Sequence, residues 1–372
     1  MKILELCLSP DLGGLELYAL RSARALQAGD DEVLTVCARQ GRLHGKLAEE
    51  GLDHVPFRNG WRPFPLLAAR RLAALIDRQG IEVIHLHWGK DLPLAVLAKR
   101  LSRRRPALVY TRQMQLTRAK RDPYHRFLYG SMDTMLTITE QLADAARRHL
   151  PAEDAAKVRC LYYGVAAPGE ILAPEQRKQL RVEAGLPAEG FVVGLFGRME
   201  PYKGQTLMLE ALASARAAGE TIHALLVGHE MEPGYRAKLQ QKAEELGIAE
   251  RVVFQGFVEN PQRWMQLCDV LALTTIEETF GLVLVEAMRA GVAVLGSDRG
   301  GVPEIIRHGA NGLLFRSGDA ADLYAQLGRY YREPELRARL AAAGKADADQ
   351  RFNEQTHFVE LRRQLAEAAK SE

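Results

Sequence analysis

The chain has 372 residues, 47% of them hydrophobic and 26% charged, which fits a soluble globular protein but makes it too long for one ordinary core. No apolar run reaches the roughly 18–20 residues that cross a bilayer. The four cysteines (Cys7, Cys37, Cys160, Cys268) form no C-x-x-C pair, which argues against a zinc site or a disulfide framework and suits reduced thiols in the cytoplasm. The net charge of +3 is unevenly spread: residues 1–168 hold 26 Lys and Arg against 18 Asp and Glu, and the remainder holds 24 against 29. A basic first half is expected to meet something anionic, such as membrane phospholipid, an acidic glycolipid or nucleic acid, unless it is only a solvated surface.

In chain order, "MKILELCLSP" reads as a first strand and loop, because no long apolar region or small-residue cleavage site follows it. Further strands are predicted near 32–37, 82–87, 107–111 and 134–138, separated by helical runs such as "ELYALRSARALQAG" and "DLPLAVLAKRLSRR". Glycine and proline break both periods in "YYGVAAPGEILAPEQ", which marks a domain join. The pattern then restarts, with strands at 191–197, 223–228, 252–256, 270–275 and 293–297. Strands alternating with helices predict an α/β fold of two Rossmann-like, doubly wound parallel-sheet domains, residues 1–168 and 169–354. Ligands of such sheets bind beyond the carboxyl ends of the strands, so a cleft between the domains is expected to hold the chemistry.

Several loops after strands carry suitable residues. Gly13 and Gly14 would let backbone approach a ligand and are read as binding the donor, although their spacing is not that of a dinucleotide fingerprint. His85 and His87 sit two apart at a strand end; no third ligand follows at metal-site spacing, so no metal is expected, and His87 is read as a catalytic residue facing the cleft. "TRQMQLTRAKRDPYHRFLYG" mixes cations with aromatics after a strand. No nucleic-acid module accompanies it, so an anionic lipid surface or a charged acceptor fits better than nucleic acid. In "GLFGRMEPYKGQ", Arg198 and Lys203 flank a strand-to-helix loop and could converge on a diphosphate.

The segment "EETFGLVLVEAMRAG" sets Glu278 before a helix that starts near 279–282 and Glu286 within it, with Gly291 as its C-terminal cap. Eight residues at helical rise separate the two acids by roughly 12 Å, with a phosphate-favouring helix start between them. A sugar nucleotide has that layout, and a retaining glycosidase pair, at about 5 Å, does not. An ordinary cap or salt bridge is the alternative account of Glu286. "DAD" at 347–349 lies in an alanine-rich helical run rather than after a strand, and is read as chance.

Taken together, E-x7-E from Glu278 to Glu286, "GRMEPYKG" and "GGVPEII", in that chain, resemble glycosyltransferase family 4, retaining enzymes of the GT-B fold. The resemblance covers nearly the whole chain. It implies that Glu278 and the backbone at Phe280, Gly281 and Leu282 hold the donor sugar and phosphates. Arg198 and Lys203 would bind the diphosphate, Glu286 the ribose, and the backbone near Val258 the base. It also implies a helix at about 355–372 that returns to the first domain, metal independence, and front-face attack without a protein nucleophile. Two departures concern the acceptor: Arg112 stands where many relatives carry histidine, and Tyr163-Gly164 replaces a usual Asn-Gly. An arginine stays protonated and suits an acidic group on the acceptor.

The expected function is a retaining transferase that moves a sugar from a nucleoside-diphosphate sugar to a saccharide or glycolipid acceptor, without a cofactor. Within the family, the basic first half resembles enzymes of lipopolysaccharide core or glycolipid synthesis, cytoplasmic and peripheral at the inner membrane. A sugar-nucleotide epimerase and a catalytically silent sugar-nucleotide-binding module are the rival readings.

Overall fold

The computed structural model describes residues 1–59 and 63–370. It forms two compact units: Met1–Tyr162 with the segment from Gln355 onward, and Tyr163–Glu354.

The first unit is a parallel sheet of seven strands: β1 (Lys2–Cys7), β2 (Glu32–Ala38), β3 (His54–Phe57), β4 (Val83–Leu86), β5 (Ala107–Arg112), β6 (Thr134–Thr137) and β7 (Val158–Cys160). Their order is β3-β2-β1-β4-β5-β6-β7. Central strands of such a sheet are covered on both faces, which is why β1 and β4 read as near-continuous apolar runs. Alternate residues supply the two faces. Leu4 and Leu6 join one apolar cluster with Val36, Ile84 and Leu72, while Cys7 and Cys37 join another with Ala19, Leu43 and Leu47.

The second unit repeats the plan with six strands: β8 (Phe191–Phe196), β9 (Ile222–Val227), β10 (Val252–Gln255), β11 (Val270–Leu273), β12 (Ala293–Ser297) and β13 (Leu313–Phe315). Their order is β10-β9-β8-β11-β12-β13, again all parallel. Each sheet has its order reversing beside its first strand, the point at which open α/β sheets take ligands.

Three strands go unread in the sequence: β3, β7 and β13. All are sheet edges of three or four residues, too short to show a period, and β3 contains Pro56, which only an edge tolerates. The division between units falls at Tyr162–Tyr163 rather than after residue 168. The reason is local: the Val165 N–H donates to the Phe352 carbonyl at 2.8 Å, and the Tyr163 ring meets Phe280 edge-on. The helix Glu354–Lys370 belongs almost wholly to the first unit. There Tyr18 Oη bonds His357 Nε2 at 2.9 Å, and Arg362 holds Asp31 with two bonds of 2.7 and 3.1 Å. Residues 371 and 372 of the expected helix lie outside the described residues.

Candidate active site

In the second unit, the strand ends are brought together by glycines. Gly228, at φ 147°, follows β9, and a Cβ there would overlap the carbonyl oxygen of Gly197 after β8. Backbone therefore packs on backbone at these two strand ends, and a pocket of about 320 Å³ opens beside them. Arg198, His229, Phe257, Val258, Leu282 and Glu286 line it. Arg198, Val258, Leu282 and Glu286, expected from sequence to share one ligand, thus meet in one pocket, with apolar walls suited to the flat face of a base.

The loop after β8 carries the two cations. Lys203 Nζ lies 2.9 Å from Glu278 Oε2, with both side chains about one-fifth exposed. Thr274, which follows β11, donates its hydroxyl to the Lys203 carbonyl at 2.8 Å. Gly204 has φ 73°, and a Cβ there would overlap the Thr274 carbonyl oxygen. The buried Gln205 donates from Nε2 to the Arg198 carbonyl at 2.9 Å. Arg198 itself is half exposed and pairs with Glu200 at 3.0 Å. The Gly300-Gly301 loop after β12 supports the acid: the Gly301 N–H donates to the Glu278 carbonyl at 2.8 Å, and a Cβ on Gly300 would overlap that same oxygen. The three sequence motifs are therefore one structure, each loop braced against the next.

The helix after Glu278 runs Leu282–Arg289, with Gly281 before it at φ 104° and Gly291 beyond its end at φ 76°. This shortens the expected ruler. Only the stretch from Leu282 to Glu286 is helical, contributing about 6 Å of rise; residues 278–281 are loop. The Phe280 side chain is 2% exposed and packs against Tyr163 and Phe352, so this residue has only its backbone to offer a ligand.

In the first unit, Gly13 and Gly14 are exposed at the start of the helix Gly14–Ala28, where Glu16 accepts the Gly13 N–H at 2.7 Å. His87 departs from the reading. Its ring is 1% exposed, and Nε2 bonds Glu5, so it faces the interior and not an open surface. The missing third metal-type ligand is also found, because β1 pairs with β4 and sets Glu5 beside His85. Ligating atoms of Glu5, His85 and His87 lie within 4.8 Å of one another, all buried. Glu5 also accepts from Ser22 Oγ at 2.8 Å, and His85 Nε2 contacts Thr111 Oγ1 at 2.7 Å. Burial pushes the Glu5 carboxyl up, but the two imidazoles beside it outweigh this and hold it well below the usual carboxylate range. Burial, aided by His85, depresses His87.

Arg112 ends β5, half-buried, its Nη1 donating to Tyr110 Oη at 3.1 Å and its Nη2 to the Gln115 carbonyl at 3.0 Å. Sequence reasoning passed over Glu5, Thr274 and Gln205. An acid inside an apolar strand is the available signal for Glu5; nothing local distinguishes the other two.

Known proteins match both units. The model for "Glycosyl transferases group 1" matches residues 176–347, and that for "Glycosyl transferase 4-like domain" matches residues 13–164. The putative glycosyltransferase EpsD of Bacillus subtilis (strain 168) is 27% identical over 322 residues, 82% of each chain. The D-inositol 3-phosphate glycosyltransferase of Nocardia farcinica is 34% identical over 194 residues, which span 50% of this chain and 43% of that protein. Among solved structures, Anabaena Alr3699/HepE in complex with UDP and glucose superposes with a TM-score of 0.82 at 26% identity, covering 99% of this chain and 100% of that one. The two parallel sheets of seven and six strands are those of the GT-B fold.

Proposed function

The chain belongs to the group 1 glycosyl transferases, and from that membership we propose that it moves a sugar from a nucleoside-diphosphate sugar to a saccharide or glycolipid acceptor with retained anomeric configuration. The observation that carries this reading is the single pocket that unites Arg198, Val258, Leu282 and Glu286, with the Lys203–Glu278 pair on the adjoining loops. The pocket takes the base near Val258 and the ribose at Glu286. Arg198, Lys203 and the backbone at Gly281 and Leu282 take the diphosphate, and Glu278 takes the sugar hydroxyls. Lys203 has three N–H donors, so one can remain on Glu278 while the others turn to phosphate. UDP is the nucleotide to test first, because the similar Anabaena protein was crystallised with it.

In the reaction, the bond between the anomeric carbon and the diphosphate oxygen breaks, and the acceptor oxygen bonds to the same face. The departing phosphate takes the acceptor's proton, and Arg198 and Lys203 stabilise the negative charge that develops on it. No protein nucleophile and no metal is used, so chelation with EDTA should leave turnover unchanged. Arg112, Gly13 and Gly14 are assigned to substrates at the carboxyl ends of the first sheet. The product belongs to lipopolysaccharide or another cell-envelope glycan, and the basic first unit meets anionic lipid at the cytoplasmic membrane face.

Thermal shift with UDP-, GDP- and ADP-sugars tests donor binding, since a ligand of the native state raises its apparent stability. Arg198→Ala and Lys203→Ala should each cut turnover at least about tenfold; near-normal turnover in both would remove the diphosphate assignment. Donor incubated without acceptor should yield no epimer; an epimer would favour isomerisation instead.

A further inference from the structure

One face of the first sheet carries a polar cluster in an otherwise apolar interior. β1 pairs with β2 on one side and β4 on the other, which aligns Thr35, Glu5 and His85 across three strands. His87 follows two residues after His85 and therefore shares its face. From the helix Gly14–Ala28, Ser22 Oγ donates to Glu5 Oε1 at 2.8 Å, and the Tyr18 ring meets His87 edge-on. Thr35, Glu5, His85 and His87 are all buried. Among the described residues, Glu5, His85 and His87 are the one group whose carboxylate and imidazole atoms converge closely enough to share an ion. His85 Nδ1 lies 3.0 Å from Glu5 Oε2, and His87 Nε2 bonds the same oxygen. Two atoms of the cluster, His87 Nδ1 and Thr35 Oγ1, are buried without a partner. Native interiors leave few such atoms, and those that occur mark places for an ion or a water.

We propose that Glu5, His85 and His87 bind one divalent transition-metal ion, which ties β1 to β4 and takes no part in sugar transfer. An ion bonded at about 2.0–2.1 Å to each of several atoms, at tetrahedral angles, holds them roughly 3.3 Å apart, close to the separation of His85 Nδ1 and Glu5 Oε2. Two imidazoles and a carboxylate suit zinc and its neighbours rather than magnesium or calcium, which take oxygen. The ligands also have the outer hydrogen bonds that orient such residues: His85 Nε2 contacts Thr111 Oγ1 at 2.7 Å, and Ser22 holds the other oxygen of Glu5. The other two acids buried nearby, Glu16 and Asp91, accept the Gly13 and Leu8 N–H groups at 2.7 Å each and stand outside the group. Binding sends to solvent any proton the imidazoles share with the carboxylate. An ion enclosed in this way leaves only when the unit opens, so EDTA added to the folded protein does not strip it.

The full chain, made without a histidine tag in minimal medium supplemented with Zn2+ or Co2+, is purified through EDTA and its metal content measured by plasma mass spectrometry. Wild type should retain about one ion per chain, and Glu5→Gln and His87→Gln less than about a tenth of one, with circular dichroism reporting whether each variant folds. His44→Gln disrupts the other close histidine pair of the first unit, whose rings lie 4.9 Å apart, and should leave the content unchanged. The cobalt protein should show visible d–d bands of a nitrogen and oxygen site, without charge transfer from the thiolates of Cys7 or Cys37, which pair on β1 and β2. Wild type that retains no ion overturns the proposal whatever the variants do. So do full content in both Glu5→Gln and His87→Gln, loss in His44→Gln, or a thiolate band.

Discussion

The cations at the strand ends of the two sheets are met by different partners. After β8 and β11 the charged groups answer one another, Lys203 with Glu278 and Arg198 with Glu200. After β5, Arg112 meets only neutral oxygens, and a carboxylate of the same sheet, Glu5, is sealed inside against His85 and His87. One topology thus gives two kinds of binding ground. A region that balances its own charge when empty favours a ligand that can replace both halves of the pair, as a diphosphate with hydroxyls does. A region left positive favours any anion of the right reach. What differs is what meets the cations: carboxylates for Lys203 and Arg198, neutral oxygens for Arg112.

The severest way to break this contrast is Gly204→Ala. With φ 73° and the Thr274 carbonyl in the way, the loop must move. The second unit should lose about 2–3 kcal/mol in denaturant unfolding, and transfer should fall to background. Lys203→Ala keeps the fold and removes one cation, so turnover should drop roughly 10²-fold with little change in stability. Glu286→Gln should act more gently, weakening UDP about tenfold, as expected for losing a charged acceptor of hydrogen bonds.

The smallest effect belongs to the first unit. Burial lowers the His357 imidazole to about 4 from its usual 6.5. Between those values the unfolded chain binds a proton that the folded unit refuses, so stability is lost as pH falls through this window. From pH 7.5 to 6 the cost should be under about 1 kcal/mol, and His357→Gln should flatten that slope in urea titrations.

Much of this was legible in the sequence because it depends on residues close together in the chain. Ten strands show as apolar runs, and Glu278, Gly281 and Glu286 announce one loop and helix. Contacts between distant loops were not legible. The brace from Thr274 to the Lys203 carbonyl spans 71 positions, and the Gly300 contact to Glu278 depends on β12 lying beside β11. His87 was misread for the same reason: its face of β4 is decided by Glu5, about 80 residues earlier in the chain and adjacent only once β1 and β4 pair.

The return of the C-terminal helix bears on the order of assembly. The second unit is one uninterrupted stretch, Tyr163–Glu354, whereas the first needs residues from both sides of it. His357 Nδ1 closes on the Tyr162 carbonyl at 2.7 Å and Arg362 on Asp31, contacts that exist only after the whole second unit has been synthesised. Domains generally fold as they emerge from the ribosome, so here the unit begun first is the last to be completed. In the interval, the side of its sheet that Tyr18 and Asp31 share with the final helix stays uncovered, and the second unit can already be folded when that helix arrives.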